Sequence, residues 1–221
     1  MKELNKTGIR DNIRCFEAMT HKHPDLIVSN SELTKGQIGC FSSHYTLWKE
    51  CIEHNEPYRI IVEDDITYSF DQSIQFYDFI DEMLKELDRI SDGEWDILYL
   101  SKNIDLEHNK HNMFRKYNCQ MPSKMTSSIR YNGKQSKYIR EIEPRCGLHA
   151  YIISKKGASL LVNSIKSIQA PIDVQLWLYY CKAYELQKPL FVEKENSISD
   201  TSNVGIGSLL LMKYPKIEKT I

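Results

Sequence analysis

Three consecutive acids, Glu63-Asp64-Asp65, directly follow the apolar run Tyr58-Arg-Ile-Ile-Val62. Carboxylates this close repel one another, and a divalent cation is the usual agent that offsets the repulsion. Mg2+ and Mn2+ take hard oxygen ligands, which carboxylates supply. On an extended chain residues 63 and 65 point to one side and residue 64 to the other, so Glu63 and Asp65 are the candidate metal pair. The same triplet also reads as an acidic turn after a strand. Two further candidates lie far along the chain. Asp173, in Ala170-Pro-Ile-Asp-Val, is either a helix N-cap or a functional acid. His149, in Cys146-Gly-Leu-His-Ala-Tyr151, is either a hydrogen-bonded core residue or a ligand. Ser42-Ser43-His44 sets hydroxyls beside an imidazole, but adjacent residues on a helix diverge by about 100° and make no catalytic dyad. No G-x-S-x-G, phosphate-binding Walker loop or dinucleotide fingerprint is present.

These residues need elements to position them. Thr34-Lys-Gly-Gln37 forms a capping-box pattern, and Phe41, Tyr45, Trp48 and Ile52 follow at helical spacing, which predicts an amphipathic helix ending near Glu53. Tyr58 to Val62, Trp95 to Leu100 and Ala150 to Ile153 are short apolar runs that predict buried strands. A second helix, capped by Asp71, carries Ile74, Tyr77, Ile80, Leu84 and Leu87 on one face. A third, capped by Ser154, carries Ala158, Leu161, Val162 and Ile165 and is stopped by Pro171. Asp173 opens another helical stretch, and Ala183 to Val192 reads as extended with Pro189 at an edge. The tail from Glu195 is mixed and polar apart from Leu209-Leu-Leu-Met212. Strands alternating with helices predict α/β layering with a largely parallel sheet. Ligands of such sheets bind beyond the carboxyl ends of the strands, which directs attention to the residues after Val62, Leu100 and Ile153.

Composition narrows the class. The chain has 221 residues, 41% of them hydrophobic and 27% charged, which suits one globular domain over 1–221. The net charge of −1 argues against a dedicated nucleic-acid binder. No apolar run reaches the roughly 20 residues of a transmembrane helix, and the polar start MKELNKTGIRDN is not a signal peptide. Six Cys form no C-x-x-C pair and read as mostly buried thiols in a reducing compartment, so a cytoplasmic protein is expected. Charge is unevenly spread. Residues 101–145 hold ten Lys/Arg against four Asp/Glu, a local surplus of +6 inside a chain of net −1. This stretch, about 102–145, reads as a loop-like basic excursion, either a solvated insertion or a rim for an anionic or sugar substrate.

The ordered blocks Leu33 to Trp48, Ile60 to Ile66, Trp95 to Leu100, Gly147 to Ala158 and Pro171-Ile-Asp173 together resemble glycosyltransferase family 25, over about residues 8 to 176. That group includes bacterial lipooligosaccharide galactosyltransferases and collagen hydroxylysine galactosyltransferases. The resemblance implies a GT-A-like nucleotide-sugar-binding fold, mostly parallel sheet flanked by helices. It implies a UDP-sugar donor, Mn2+ or Mg2+, and inverting transfer of galactose or glucose to a glycan, glycolipid or hydroxylysine-type acceptor. By the same resemblance Asp65 and Glu63 are metal ligands, and Glu63 or Asp64 contacts the ribose or sugar. Asp173 is the general base or a partner of the metal shell, sharing the catalytic assignment with Asp64. His149 is a further metal ligand. Glu63, Asp65, Gly36, Ser43 and His44 are assigned to donor and cofactor binding. The family's opening apolar strand is expected to be lost or very short here, because nothing apolar precedes Arg10 and Arg14, and a non-catalytic sugar- or nucleotide-binding relative is the alternative. The Ile- and Lys-rich composition points to a bacterial or virus-encoded protein.

Overall fold

The computed structural model describes residues 13–69, 75–101, 117, 136–143, 147–179, 181–193 and 208–212. The elements run β1 (Ile13–Glu17), β2 (Ile27–Val28), α1 (Lys35–Glu53), β3 (Tyr58–Glu63), β4 (Ile66–Tyr68), α2 (Phe76–Ser91), β5 (Ile97–Tyr99) and β6 (Ile139–Ile142). They continue with β7 (Ala150–Ser154), α3 (Lys155–Ser164), β8 (Ser167–Ile168), α4 (Ile172–Gln175), β9 (Ala183–Leu186), β10 (Phe191–Glu193) and β11 (Ser208–Met212). Helix α1 starts as its sequence dictates. The Thr34 hydroxyl accepts from the Gln37 amide and the Gln37 side chain accepts from the Thr34 amide, so the capping box closes.

Seven strands form one sheet in the order β1-β11-β3-β7-β5-β9-β6. Alternation along its strands sends side chains to two cores. Ile61, Ile97, Tyr99, Tyr151, Ile153 and Ala183 pack beneath α1 and α3. Ile60, Val62, Leu98, Leu100, Ala150, Ile152 and Tyr184 pack against α2. The result is three layers, helix on sheet on helix, as the α/β reading requires.

The expectation of a mostly parallel sheet is corrected. Of the six pairings in this sheet, only β5 with β9 is parallel. Strand β7 runs antiparallel between β3 and β5, so Ile153 lies at the end opposite Val62 and its following residues leave the list of site candidates. Its start, Leu148-His149, lies beside the end of β3 instead. The run Leu209–Met212, the apolar exception in the polar tail, lies in the strand β11 inserted between β1 and β3.

Two further differences concern the ends of motifs. A strand does form near the N-terminus, Ile13–Glu17, held at the sheet edge by β11, with Arg14 paired to Glu50 of α1 at 2.9 Å. The basic excursion is not loop throughout: Ile139–Ile142 is a strand on β9, and Tyr117 is buried under α1, where Gln37 Nε2 donates to its hydroxyl at 3.3 Å. Residues 102–116, 118–135 and 144–145 of that excursion, and Asp71 and Ile74 ahead of α2, lie outside the described residues.

Candidate functional site

The acidic triplet sits where β3 runs out. Glu63 is the last residue of that strand, and its amide donates to the His149 carbonyl at 2.7 Å, the ladder bond that places the start of β7 beside it. Asp64 and Asp65 then turn the chain into β4; Asp64 is exposed and Asp65 half-buried. Donor atoms of Glu63, Asp65 and His149 all lie within 4.8 Å of one another. Glu63 Oε2 is 2.9 Å from His149 Nδ1, and Asp65 Oδ1 is 3.9 Å from the same nitrogen. Glu63 and Asp65 thus both lie near the His149 imidazole, but a turn at residues 64 and 65, not the alternation of an extended chain, brings them there.

Behind this group runs a chain of buried hydrogen bonds. Trp48 Nε1 can only donate, and it donates to the Tyr151 hydroxyl at 2.9 Å. His44 Nδ1 lies 2.7 Å from the Tyr151 hydroxyl and its Nε2 lies 3.3 Å from Glu63 Oε1; in the tautomer whose Nδ1 accepts from the hydroxyl, Nε2–H donates to that carboxylate. Helical spacing explains the arrangement: His44 and Trp48 are four apart on α1 and face the same strand. Tyr151 follows His149 by two, so both share one face of β7.

Each oxygen of Glu63 thus has an imidazole donor. Burial pushes its carboxyl upward, but the hydrogen bonds from His149 and His44 outweigh burial and bring it down to about 2. Asp173 is treated the other way. Burial raises its carboxyl above the usual range, against the amides of Gly147, donating to Oδ2 at 3.1 Å, and Val174, donating to Oδ1 at 2.9 Å. Asp173 lies in the first turn of α4, and its bond to Gly147 ties that helix to the loop leading into His149. Gly147 has φ +91°, a backbone conformation open to glycine. The N-cap reading of Asp173 is not what forms: Pro171 caps α4, and Asp173 lies inside its first turn.

The remaining assigned residues fall on α1. His44 touches Glu63, as described. Ser43 is buried, donates to the Gly39 carbonyl at 2.8 Å and accepts from the Met19 amide at 2.8 Å. Gly39 is required there, because a Cβ would fall 2.1 Å from the Met19 carbonyl oxygen. Gly36 is half-buried in the first turn of α1. Sequence reasoning missed Cys40, Trp48 and Tyr151 as members of this constellation. The first two carried a signal, being four residues before and after His44 on one helix. Tyr151 could be placed only once β7 was known to lie next to β3.

The model of the family described as "Glycosyltransferase family 25 (LPS biosynthesis protein)" matches residues 4–176. The chain belongs to glycosyltransferase family 25. Among its relatives is the Haemophilus influenzae lipooligosaccharide biosynthesis protein lic2B, 24% identical over 147 residues, covering 66% of this chain and 46% of that protein. Procollagen galactosyltransferase 2 of Homo sapiens is 32% identical over 76 residues, 34% of this chain and 11% of its own length. The Bos taurus protein named "Probable inactive glycosyltransferase 25 family member 3" is 30% identical over 74 residues, 34% of this chain and 12% of its own. The chain therefore spans less than half the length of these family 25 relatives. Among the described residues, no helix is long and apolar enough to cross a membrane.

Proposed function

We propose that this family 25 chain transfers a hexose, galactose or glucose, from a UDP-sugar to a hydroxyl of a glycan, glycolipid or hydroxylysine-type acceptor, inverting the anomeric carbon. The observation that carries the reading is the meeting of Glu63, Asp65 and His149 within 4.8 Å at the end of β3. Two carboxylates and an imidazole suit Mn2+ and accommodate Mg2+. Asp65 and Glu63 would hold the cation, with His149 as the third ligand. When bound, the cation stabilises the charge that grows on the diphosphate leaving group.

The chain's own residues do the rest. The bond from the anomeric carbon to the diphosphate oxygen breaks, UDP keeps the electron pair, and the acceptor oxygen forms the new bond. Asp173 takes the acceptor's proton. Its two amide contacts leave lone pairs on both oxygens for that hydroxyl, and its raised basicity suits the task. His44, held by Tyr151 and Trp48, orients Glu63. Asp64, exposed on the turn, meets the ribose or the sugar. Gly36 gives the donor close access to the first turn of α1, and Ser43 serves the same pocket by holding the Met19 backbone against that helix.

Calorimetry with UDP tests the donor and metal assignments together: binding should require Mn2+, and a panel of UDP-sugars should then rank the hexoses. No UDP binding with or without Mn2+ would sink the reading. Asp173→Asn should lower kcat by roughly 100-fold or more while UDP affinity stays within about twofold, the signature of a lost base. Lost UDP affinity instead would move Asp173 into the metal shell. The second reading, a non-catalytic binding protein, is favoured by the relative whose name calls it inactive; UDP binding with no turnover on any acceptor would support it.

A further inference from the structure

Glu63 has two oxygens, and they face different neighbours. Oε2 faces His149 and Asp65, the hard side used above. Oε1 faces His44, and here a second group closes: donor atoms of Cys40, His44 and Glu63 also lie within 4.8 Å of one another. Cys40 and His44 are four residues apart on α1, so thiol and imidazole share one face, one turn apart. Sulfur, nitrogen and one carboxylate oxygen form a donor set for a thiophilic divalent ion, and three such protein ligands suffice for a site that keeps a fourth position open.

We propose that Cys40, His44 and Glu63 Oε1 form a second cation site, selective for Zn2+-like ions and distinct from the Asp65–His149 side. Three features of the structure favour it. The imidazole is pre-oriented: its far nitrogen is fixed by the Tyr151 hydroxyl at 2.7 Å, itself held by Trp48 at 2.9 Å, the outer support that metal-binding histidines use. Taking the ion turns the Nε2–H of His44 into a lone pair, which the Tyr151 hydroxyl allows by accepting from Nδ1–H in the other tautomer. Burial, and after it the carboxylates of Glu63, Asp173 and Asp65, push the Cys40 thiol up while the site is empty; the same carboxylates attract a cation, whose binding displaces the thiol proton. An ion can enter from the side of Cys40 and Glu63, which are both half-buried, whereas His44 is fully enclosed.

Cobalt(II) is the probe, because a thiolate ligand gives an intense near-ultraviolet charge-transfer band that oxygen and nitrogen ligands do not. The full chain, freed of metal, should develop that band and saturate at one equivalent. Cys40→Ser should abolish the band and weaken cobalt affinity at least tenfold, with an unchanged circular dichroism spectrum. Cys51→Ser, remote from the group, should leave the band intact. Asp65→Asn should remove Mn2+ binding yet preserve the cobalt band, so failure of the Mn2+ assignment and failure of this one are told apart. Zn2+ should raise the melting temperature of the parent protein and not that of Cys40→Ser. The proposal is overturned if the parent shows no thiolate band, if the band survives Cys40→Ser, or if Asp65→Asn removes it.

Discussion

The two ends of β3 both bury charge, and they do so in opposite ways. At the start of the strand the Arg59 guanidinium, 5% exposed, is surrounded by acceptors: Glu56 at 2.7 Å, Glu50 at 3.0 Å and the Leu47 carbonyl at 2.9 Å. Glu50 is shared with Arg14, so two cations face two anions. At the far end, four residues on from Arg59, Glu63, Asp65 and Asp173 gather around the imidazoles of His44 and His149, and among the described residues the three acids outnumber the two imidazoles. Complete pairing fastens the edge strand β1 and helix α1 to the sheet. An excess of carboxylates over cationic partners suits a place where a cation or a polar substrate arrives. One strand thus separates a charge-balanced ion cluster from an acid-rich one.

That contrast can be broken most sharply at Asp65. Asp65→Ala should cut transfer roughly 100-fold or more while the metal-free melting temperature stays within a few degrees, because the residue sits in a half-buried turn and not in either core. Near-parental turnover would mean that the acids of the β3 end are as structural as those around Arg59. The converse change is Arg59→Met. It keeps the apolar stem and strands two carboxylates and a carbonyl, so it should cost roughly 2–3 kcal/mol in urea unfolding and leave Mn2+ affinity unchanged. A smaller effect separates the two ends by pH. Glu63 is held at about 2, below the ordinary 4.5, so its contribution to metal-free stability is fully present above pH 4.5 and is lost as pH falls toward 2. Glu63→Gln should flatten that acid decline in a series of urea melts between about pH 6 and about pH 2. An unchanged slope would show that the imidazoles of His149 and His44 do not favour the ionised carboxylate.

Much of this was legible in the sequence, for physical reasons. Local rules act over a few residues, so the capping box at Thr34 and the Ser154 cap formed as expected. Asp92 takes φ +57° and Gly93 φ +72°, the left-handed pair that ends α2. The apolar runs of β3, β5 and β7 needed burial on both faces and found it. Strand direction was not legible, because an apolar run carries no sign of which way its neighbour points. For that reason a parallel sheet was expected where β7 and β11 run antiparallel to β3. The run Leu209–Met212 was too short and too isolated to be weighed as a strand until β1 and β3 stood on either side of it.

The division is clearest at the site. Residue types and short spacings alone pointed to Glu63 and Asp65 as a pair and determined that α1 presents one face to the sheet. They also determined that Asp173 and His149 are worth attention, since charge, ligand hardness and the periods of helix and strand are local properties. Tertiary structure alone decided that His149 meets Glu63, because an antiparallel ladder set their backbones 2.7 Å apart across 86 residues of chain. It alone made His44 a partner of the acids, by laying α1 over β7 so that Tyr151 and Trp48 fix the imidazole. Contacts between distant segments depend on which strands pair and in which direction, and that is settled by packing of the whole sheet, not by any stretch of residues within it.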